Sequence, residues 1–420
     1  MNDQQLISGL AALPDEDLHV DLDAVVATVK SRRRRRHAVT TAALTTTVLT
    51  AGLIVVIGHP GGAPLPPPPP AVPGNWTVRS SDTQWVSLSS VAVVSASDVW
   101  TTGVTGEPDP GGVGLRERGR VEHWDGQRWT RFDLPDGHHP FDLAAIASGD
   151  VWVVGRVATS GPTARPFAMH WDGLGWRDVP VPPQGSNSYL DSVAVVSAND
   201  IWAVGPTPSL DAGPLLVRWD GQRWTTVTLP DAPAGPVSLD FVSARGADDV
   251  WAVGRSDSHP LIAHFVGSGW SWIPATVDGR VLPKLRGVVA LGPDDVWGVS
   301  DTGFFRWDGR VWREAPLPAE LDGRYATFAP DGAGGLFVAG YRLMCQNVPC
   351  PNGGPDARAY FRVAHWNGTA WRLVSPPVDG PGMFQDLDTA RDGSGVWAVG
   401  LRMDASNFDR WIVASRPLLR

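Results

Sequence analysis

The chain has 420 residues, among them 47 Gly, 38 Pro, 21 Trp and 2 Cys. Its 43% of hydrophobic residues suffices for a packed core, and its Gly and Pro content favours many turns over long helices. A net charge of −9 argues against a basic face that binds nucleic acid, and two cysteines exclude a disulfide-rich scaffold or a Cys-based zinc cluster.

Residues 1–37 form a tail in which acidic residues precede a basic run, Lys30 and Arg32–Arg36. Apolar residues at helical spacing indicate a short amphipathic helix that lies on anionic lipid or docks on a protein. The alternative is a solvated tail that only sets the orientation of the chain. The sequence identifies no cytoplasmic partner.

Residues 38–58 contain no charged residue over 21 positions, about the length needed to cross roughly 30 Å of hydrocarbon. The basic run precedes this segment and the next basic residue is Arg79, so the positive-inside rule places the N-terminus in the cytoplasm. A cleaved signal peptide is the alternative, but it usually has a shorter charged region and a small-x-small cleavage site. We therefore predict a single-pass protein of the cell membrane, in contact with the bilayer through 38–58. This layout resembles that of membrane-anchored regulators in high-GC bacteria.

A Pro-rich segment follows at residues 59–74. Such a run favours polyproline II, which extends about 3.1 Å per residue, so it would act as a stalk about 40 Å long. The stalk would hold the next domain away from the membrane, on its extracytoplasmic side.

Residues 75–420 repeat two motifs at intervals of 40–60 residues. The first is an aromatic residue in an apolar strand, at Trp100, Trp152, Trp202, Trp251, Trp297, Phe337 and Trp397. The second is a pair of aromatic residues around a turn, at Trp124/Trp129, Trp171/Trp176, Trp219/Trp224, Phe265/Trp270, Trp307/Trp312 and Trp366/Trp371. A tandem repeat of this length, rich in β-branched residues, predicts an all-β fold, a β-propeller with one four-stranded blade per repeat.

The third repeat shows how strands A to D divide a blade. They are expected at residues 192–197, 201–205, 215–219 and 222–228. A two-residue Asp220-Gly221 loop would place Trp224 opposite Val217 and diagonal to Trp219 on the same face. We expect these indoles to pack between blades rather than to form an exposed sugar-stacking site.

The last repeat supplies strands A to C and then the chain stops, whereas residues 75–79 read as an unpaired strand D. Pairing of the two ends would complete a seventh blade and remove open sheet edges. We predict a seven-bladed propeller of four-stranded blades, closed by its N- and C-terminal strands and preceded by one transmembrane helix. The predicted domains are 1–37, 38–58, 59–74 and 75–420.

The repeat resembles the kelch-like, galactose-oxidase-type propellers, and the Trp-rich tectonin-type propellers to a comparable degree. The shared features are an apolar strand, an aromatic strand ending in Gly, an aromatic strand C and a Trp that opens strand D. Kelch blades end strand B in a Gly pair, whereas this chain has a single Gly, at Gly103, Gly155, Gly205, Gly254 and Gly400. The resemblance implies the propeller fold over residues 75–420.

The two rims of such a propeller would differ in sequence diversity. The A–B and C–D turns share one rim and are nearly identical, whereas the B–C and D–A connections share the other and vary widely. Recognition normally uses the variable surface of a scaffold, so we expect a protein, peptide or cell-envelope glycan ligand there. Cys345 and Cys350 lie in a variable loop of the sixth repeat, where a local disulfide is expected outside the cytoplasm.

A second candidate binding region is the mouth of the axial channel. Counting back nine residues from the start of strand B gives Asp191, Asp240, Arg286 and Asp386. Asp142 is within one residue of this register, and Tyr189 and Tyr325 lie close by. Converging carboxylates would attract a cation or an amine-bearing ligand. The alternative is that these Asp side chains cap backbone amides of strand A.

Enzyme signatures are weaker than binding signatures. The Asp boxes of sialidase-like propellers and the Tyr/His/Cys set of copper oxidases are absent, and His138-His139 lacks metal-ligand spacing, so no metal or cofactor is expected. No catalytic residue is identified. The alternative function is an envelope polysaccharide hydrolase or lyase that uses Asp142, Asp191, Asp240 and Asp386 as acid and base.

Overall fold

The computed structural model describes residues 76–82, 85–108, 115–158, 163–182, 187–207, 213–230, 237–256, 259–317, 323–345, 348–349, 358–374, 380–403 and 409–417. The predicted tail, transmembrane helix and stalk lie outside these residues, so all three stay predictions. Among the residues described, no helix is long and apolar enough to cross a membrane. All described residues belong to one compact unit, residues 68–420.

The strands of this unit form seven sheets, each with strands A to D in spatial order, which we call blades 1 to 7. Blade 1 consists of β2 (Trp85–Ser95), β3 (Asp98–Pro108), β4 (Leu115–Trp124) and β5 (Trp129–Asp133). Blade 2 consists of β6 (His138–Ala147), β7 (Asp150–Ala158), β8 (Ala164–Trp171) and β9 (Trp176–Val179). Blade 3 consists of β10 (Ser192–Ser197), β11 (Asp200–Gly205), β12 (Leu215–Trp219) and β13 (Trp224–Thr226). Blade 4 consists of β14 (Val237–Gly246), β15 (Asp249–Ser256), β16 (His259–Val266) and β17 (Gly269–Trp272).

Blades 5 and 6 carry additional strands, and blade 7 combines strands from both ends of the described chain. Blade 5 consists of β20 (Leu285–Gly292), β21 (Asp295–Ser300), β22 (Gly303–Trp307) and β23 (Trp312–Glu314), with β18 (Thr276–Val277) and β19 (Arg280–Val281) at its outer edge. Blade 6 consists of β24 (Arg324–Pro330), β25 (Leu336–Cys345), β27 (Arg358–Trp366) and β28 (Trp371–Val374), with β26 (Val348–Pro349) paired to β25. Blade 7 consists of β29 (Gly382–Thr389), β30 (Gly395–Met403), β31 (Asp409–Pro417) and β1 (Thr77–Asp82).

The two ends of the described chain meet in blade 7. Strand β1 pairs antiparallel with β31, with Thr77 opposite Ser415 and Val78 opposite Ala414. The prediction of a seven-bladed propeller closed by its N- and C-terminal strands is therefore confirmed. Closure gives the outer edge of β31 a partner that would otherwise be missing.

The tryptophans fill the spaces between neighbouring blades. Trp152 of blade 2 lies 4.9 Å from Trp219 and 5.4 Å from Trp224 of blade 3, measured between ring centroids. The same three-ring contact recurs where Trp251 of blade 4 packs on blade 5 and where Trp297 of blade 5 packs on blade 6. The strand B tryptophans are almost inaccessible to solvent, as expected for rings that form an inter-blade core.

The turn between strands C and D corrects the predicted register. Trp219 pairs directly with Trp224, and Val217 pairs with Thr226, so the predicted diagonal arrangement is wrong. The loop has four residues because Asp220 Oδ1 accepts hydrogen bonds from the backbone N–H groups of both residues that follow Gly221, at 2.9 and 2.8 Å. Gly221 adopts a φ of 92°, which glycine tolerates well. Strand D is shorter than predicted for the same reason.

Strand A carries a β-bulge opposite the end of strand B. In blade 1, Leu88 pairs with Gly103 and Ser90 pairs with Thr102, which leaves Ser89 without a partner. Register shifts at the same place occur in blades 2, 4, 5, 6 and 7. A bulge bends its strand and redirects the side chains beside it. Here it determines which side chains reach the axis of the propeller.

Candidate functional site

Strand A of every blade lines an axial cavity of about 1240 Å³. Three of the predicted site residues, Asp142, Asp191 and Asp386, line this cavity. They come from blades 2, 3 and 7, so the ring closure brings together residues that are far apart in the chain. The other four predicted residues are not among those that line it.

The residues that directly follow the bulge in four blades, together with Ser192 at the start of strand A of blade 3, form a hydrogen-bonded series around the axis, which we call the belt. Its members are Thr327, Asp386, Ser90, Asp142 and Ser192, from blades 6, 7, 1, 2 and 3. Thr327 Oγ1 donates to Asp386 Oδ1 at 2.9 Å, and Ser90 Oγ lies 2.9 Å from Asp386 Oδ2 and 2.8 Å from Asp142 Oδ1. A hydroxyl group carries a single hydrogen, so both contacts of Ser90 are satisfied when one of the two carboxyl groups is protonated.

The belt also binds the backbone of the next blade. The backbone N–H of Val91 donates to Asp386 Oδ2 at 3.0 Å, and that of Val193 donates to Asp142 Oδ2 at 2.9 Å. The backbone N–H of Val242 lies 3.4 Å from Ser192 Oγ. Asp142 and Asp386 therefore cap amides of strand A, as in the alternative interpretation, but the amides belong to neighbouring blades as well as to their own strand.

The carboxyl groups of the belt are protonated more readily than ordinary Asp side chains. Burial raises the pKa of Asp386 to about 7, and the nearby charge of Asp142 acts in the same direction. Burial also raises the pKa of Asp142. A second carboxyl group of blade 7, Asp388, has its pKa raised to about 6 by burial. These shifts agree with the proton that the contacts of Ser90 require.

The belt is interrupted at blades 4 and 5. The equivalent positions there are Phe241 and Gly287, which have no side chain that forms hydrogen bonds. Phe241 lines the cavity and is 38% exposed. The polar wall of the cavity thus gives way to an apolar surface on this side.

Asp191 lies next to the interruption and differs from the belt carboxylates. Its side chain accepts no hydrogen bond from the described residues, whereas Asp240 forms an ion pair with Lys284 (Oδ2 to Nζ, 2.8 Å). Burial raises the pKa of Asp191 to about 8, assisted by the negative charges of Asp240 and Asp142 and opposed by Lys284. Asp191 is therefore largely neutral at neutral pH in the absence of a cation.

The aromatic and basic residues predicted at the mouth have other contacts. Tyr189 packs edge-on against Phe141 at 5.4 Å, and Tyr325 is buried against Phe304 at 5.4 Å. Arg286 forms an ion pair with Asp301, with Nη2 2.7 Å from Oδ2. The structure thus groups the predicted carboxylates of blades 2, 3 and 7 but places Arg286 at the exposed rim.

The described residues contain no group of three or more His, Cys, Asp or Glu side chains that could hold a metal ion. Cys345 lies at the end of β25, at the tip of a hairpin on the variable rim. Cys350 lies outside the described residues, so the Cys345–Cys350 disulfide stays a prediction.

A repeated polar network in the blades was not predicted. In blades 1, 2, 4 and 5 the Asp that begins strand B accepts a hydrogen bond from the indole of the strand B Trp and another from a His or Arg on strand C, as with Asp249, Trp251 (2.9 Å) and His264 (2.9 Å). In blade 3 only Arg218 bonds to Asp200, and in blade 6 His365 contacts Asp331, which precedes strand B. The imidazole stacks on the indole with ring centroids 3.8 Å apart. The strand C members are His123, His170, Arg218, His264, Arg306 and His365. Each directly precedes the strand C aromatic residue, a sequence signal that would have identified them.

The variable rim is asymmetric. Pairing of strands B and C continues furthest beyond the strand B Gly in blades 1 and 6, as far as Pro108 opposite Leu115 and Met344 opposite Arg358. In blades 2 and 7 it continues to Ala158 opposite Ala164 and to Met403 opposite Asp409. Pairing in blade 5 ends at Ser300 opposite Gly303. Four consecutive blades therefore carry long hairpins, and blades 3 to 5 carry shorter ones.

No family model matches the chain, and no curated protein matches it. Among solved structures, YCF48 from Cyanidioschyzon merolae is similar, with 12% identity and a TM-score of 0.50 over 82% of this chain and 99% of that chain. YCF48 bound to a D1 peptide has 18% identity and a TM-score of 0.43 over 69% of this chain and 94% of that one. The extracellular domain of the hybrid two-component system BT4673 from B. thetaiotaomicron has 9% identity and a TM-score of 0.49 over 81% of this chain and 39% of that one. At 12% identity the likeness to YCF48 from Cyanidioschyzon merolae shows the fold alone, a β-propeller.

Proposed function

We propose that this chain is a membrane-anchored recognition module whose extracytoplasmic propeller binds a protein, a peptide or a cell-envelope glycan on its variable rim. The observation that carries the proposal is the asymmetry of this rim, where long hairpins of four consecutive blades stand beside shorter ones. Binding residues concentrate on loops that a rigid scaffold holds in place. The longer hairpins would contact one side of a ligand bound above the shorter ones.

The opposite rim is constrained by its own structure. In five blades the C–D turn uses one Asp or Asn side chain to accept two backbone N–H groups, at Asp125, Asp172, Asp220, Asp308 and Asn367. These five turns therefore have the same geometry, whereas blade 4 has a two-residue turn between Val266 and Gly269. A surface built from copies of one turn offers little room for a specific binding site.

The experiment for this proposal compares the two rims. The full chain is screened for binding against cell-wall fragments and a peptide library, first as wild type and then with residues 345–357 of blade 6 replaced by a short Gly-Ser turn. We expect the replacement to weaken binding at least about tenfold, and a Gly-Ser replacement of the C–D turn at 125–128 to leave it unchanged. Equal binding by both variants would contradict the proposal.

A hydrolase or lyase is the second candidate, and the raised pKa of Asp191 is the observation that favours it, because a carboxyl group protonated near neutral pH can act as a general acid. Asp142 and Asp386 already use their oxygens in the belt. The same cell-wall fragments are incubated with the wild type and with Asp191→Asn. Release of soluble fragments by the wild type alone would support catalysis, whereas binding without turnover supports recognition.

Anchoring through residues 38–58 and a Cys345–Cys350 disulfide are parts of the same proposal. We expect the full chain in the membrane fraction of cells and a chain lacking 38–58 in the soluble fraction. For the disulfide, mass spectrometry after alkylation without reduction should show neither cysteine modified. A full chain found in the soluble fraction would contradict membrane anchoring. Alkylation of both cysteines would contradict the disulfide.

A further inference from the structure

The interruption of the belt presents two unexplained groups to the axial cavity. The first is the ring of Phe241, which is 38% exposed although its equivalents in five other blades are hydrogen-bonded polar side chains. An exposed aromatic ring inside a concave cavity has an unfavourable contact with water that a ligand would remove.

The second group is the carboxyl group of Asp191. It lines the same cavity from the adjacent inner strand, since the backbone N–H of Val242, next to Phe241, contacts Ser192, next to Asp191. The carboxyl group of Asp142 accepts hydrogen bonds within the belt, and that of Asp240 forms an ion pair with Lys284. Asp191 has neither a hydrogen bond to its side chain nor an ion pair among the described residues.

We infer that Asp191 and Phe241 form a pocket for a protonated amine or guanidinium group on an apolar stem, such as a lysine or arginine side chain of a bound polypeptide. The carboxylate would pair with the cation, and the phenyl ring would cover the stem and attract the cation by its face. The inference rests on the proposed recognition function and names the chemistry that one part of the ligand would have.

The charged groups around Asp191 link this binding to a proton. Asp142 from blade 2 and Asp240 from blade 4 disfavour its ionisation, and Lys284, ahead of blade 5, favours it. With a pKa of about 8, Asp191 is a neutral acid at lower pH. A bound ammonium group stabilises the carboxylate, so Asp191 loses its proton to the buffer while the ligand keeps its own.

The probe is Nα-acetyl-lysine methylamide, titrated into the full chain by calorimetry in two buffers of different ionisation enthalpy. Two compounds serve as controls. Nα-acetyl-norleucine methylamide has an apolar side chain without the ammonium group, and n-butylamine has the ammonium group on an alkyl chain without the peptide groups. We expect the lysine probe to bind at least about tenfold more tightly than either control, with affinity rising by up to about tenfold per pH unit below pH 8 and levelling above it. Up to about one proton should be released per probe at about pH 6.

Two variants assign the effect to the pocket. Asp191→Asn should abolish proton release and weaken lysine binding at least about tenfold at about pH 8, while Phe241→Ala should weaken binding of the lysine and norleucine probes alike. The matched controls lie on the opposite rim: Asp248→Asn changes an exposed carboxylate, and Leu174→Ala changes an exposed apolar residue. Thermal unfolding shows that each variant is folded.

Three results would overturn the inference. They are equal binding of the lysine and norleucine probes, unchanged binding by Asp191→Asn, and tighter binding of n-butylamine than of the lysine probe, which would indicate a small free amine as ligand. If the hairpin replacement in blade 6 abolishes ligand binding but the wild type does not bind the lysine probe, the proposed binding on the variable rim is supported and the Asp191–Phe241 pocket is rejected. If the lysine probe binds in the pocket but no ligand responds to the hairpin, the rim proposal fails instead.

Discussion

Individual polar residues stabilise the blades because their partners are buried with them. Asp249 is 5% exposed and accepts hydrogen bonds from Trp251, His264 and Arg245. Although burial alone raises the pKa of Asp249, the hydrogen bonds from His264 and Arg245 outweigh it and hold the pKa below its usual range. The group is therefore charged and paired at neutral pH, and its loss would leave buried donors without an acceptor.

We predict that Asp249→Ala lowers the free energy of unfolding by about 3 kcal/mol, measured by chemical denaturation at neutral pH. The control is Asp248→Ala, which removes an exposed neighbouring side chain and should change it by less than about 0.5 kcal/mol. Since the folded-state pKa is lowered, the effect should shrink as the pH falls through that pKa. Equal stability of the two variants would show that the network is not stabilising.

Asp191 gives the opposite dependence on pH. Its folded-state pKa of about 8 lies above the value of about 4 expected in the unfolded chain, so the folded state binds more protons between these values. Stability contributed by this group is full below about pH 4 and falls as the pH rises to about 8.

We therefore predict that Asp191→Asn and the wild type differ little in unfolding free energy at about pH 4.5, and that the variant is more stable at about pH 9, by up to about 1.4 kcal/mol per pH unit of the window. Denaturation curves at a series of pH values measure this difference. Asp136→Asn, which changes an exposed carboxylate, should follow the wild type throughout. A constant difference between Asp191→Asn and the wild type would show that Asp191 does not titrate in this range.

At the scale of the strand, the single Gly that ends strand B is explained by the bulge of strand A. A Cβ atom on Gly103 would lie 2.1 Å from the carbonyl oxygen of Ser87, and one on Gly254 would lie 1.9 Å from that of Ser238. Backbone atoms cannot yield as a flexible side chain does. Blade 5 has Ser300 at the equivalent position, which nothing in the structure explains.

We predict that Gly254→Ala destabilises the protein by roughly 2–4 kcal/mol, because the strands must separate to admit the methyl group. Gly246→Ala in the same strand pair is the control, since a Cβ atom there meets no atom within 4 Å. Urea denaturation of the two variants measures the difference. A Gly254→Ala protein as stable as Gly246→Ala would mean that the bulge can relax.

The propeller as a whole depends on closure of the ring. Trp76 packs on the core shared by blades 6 and 7, and Arg79 donates from Nε to Ser415 at 2.9 Å, so the first described strand holds the last one. Without it, β31 would be an open edge, and open edges pair with other chains.

We predict that deletion of residues 76–82 lowers the thermal midpoint by more than about 10 °C or produces strand-exchanged oligomers, seen by size-exclusion chromatography. A synthetic peptide of residues 75–82 added in trans should restore part of the midpoint. Replacement of residues 404–408, between β30 and β31 in the sequence, by Gly and Ser of equal number should leave it unchanged. A deletion variant that remains a monomer of wild-type stability would contradict the role of closure.

The number of blades, the closure of the ring and the placement of the tryptophans could be predicted from the sequence, because each follows from a pattern that recurs along the chain. Each aromatic motif lies within a few neighbouring residues, and the motifs recur every 40–60 residues, so both can be recognised without knowing the tertiary contacts. The pairing register of strands C and D could not be predicted from the sequence, because it depends on the two backbone hydrogen bonds that the Asp side chain of the turn accepts.

Which carboxyl groups come together, and which contacts each one makes, depends on the arrangement of the blades around the axis. Ser90 contacts Asp386 across 296 residues of sequence. No local pattern predicts that Asp142 and Asp386 join a belt while the Asp191 side chain accepts no hydrogen bond from the described residues. The physical reason is that the axis collects one position from every blade. Each carboxyl group there has its protonation and its partners set by side chains of the neighbouring blades, which ring closure brings next to it.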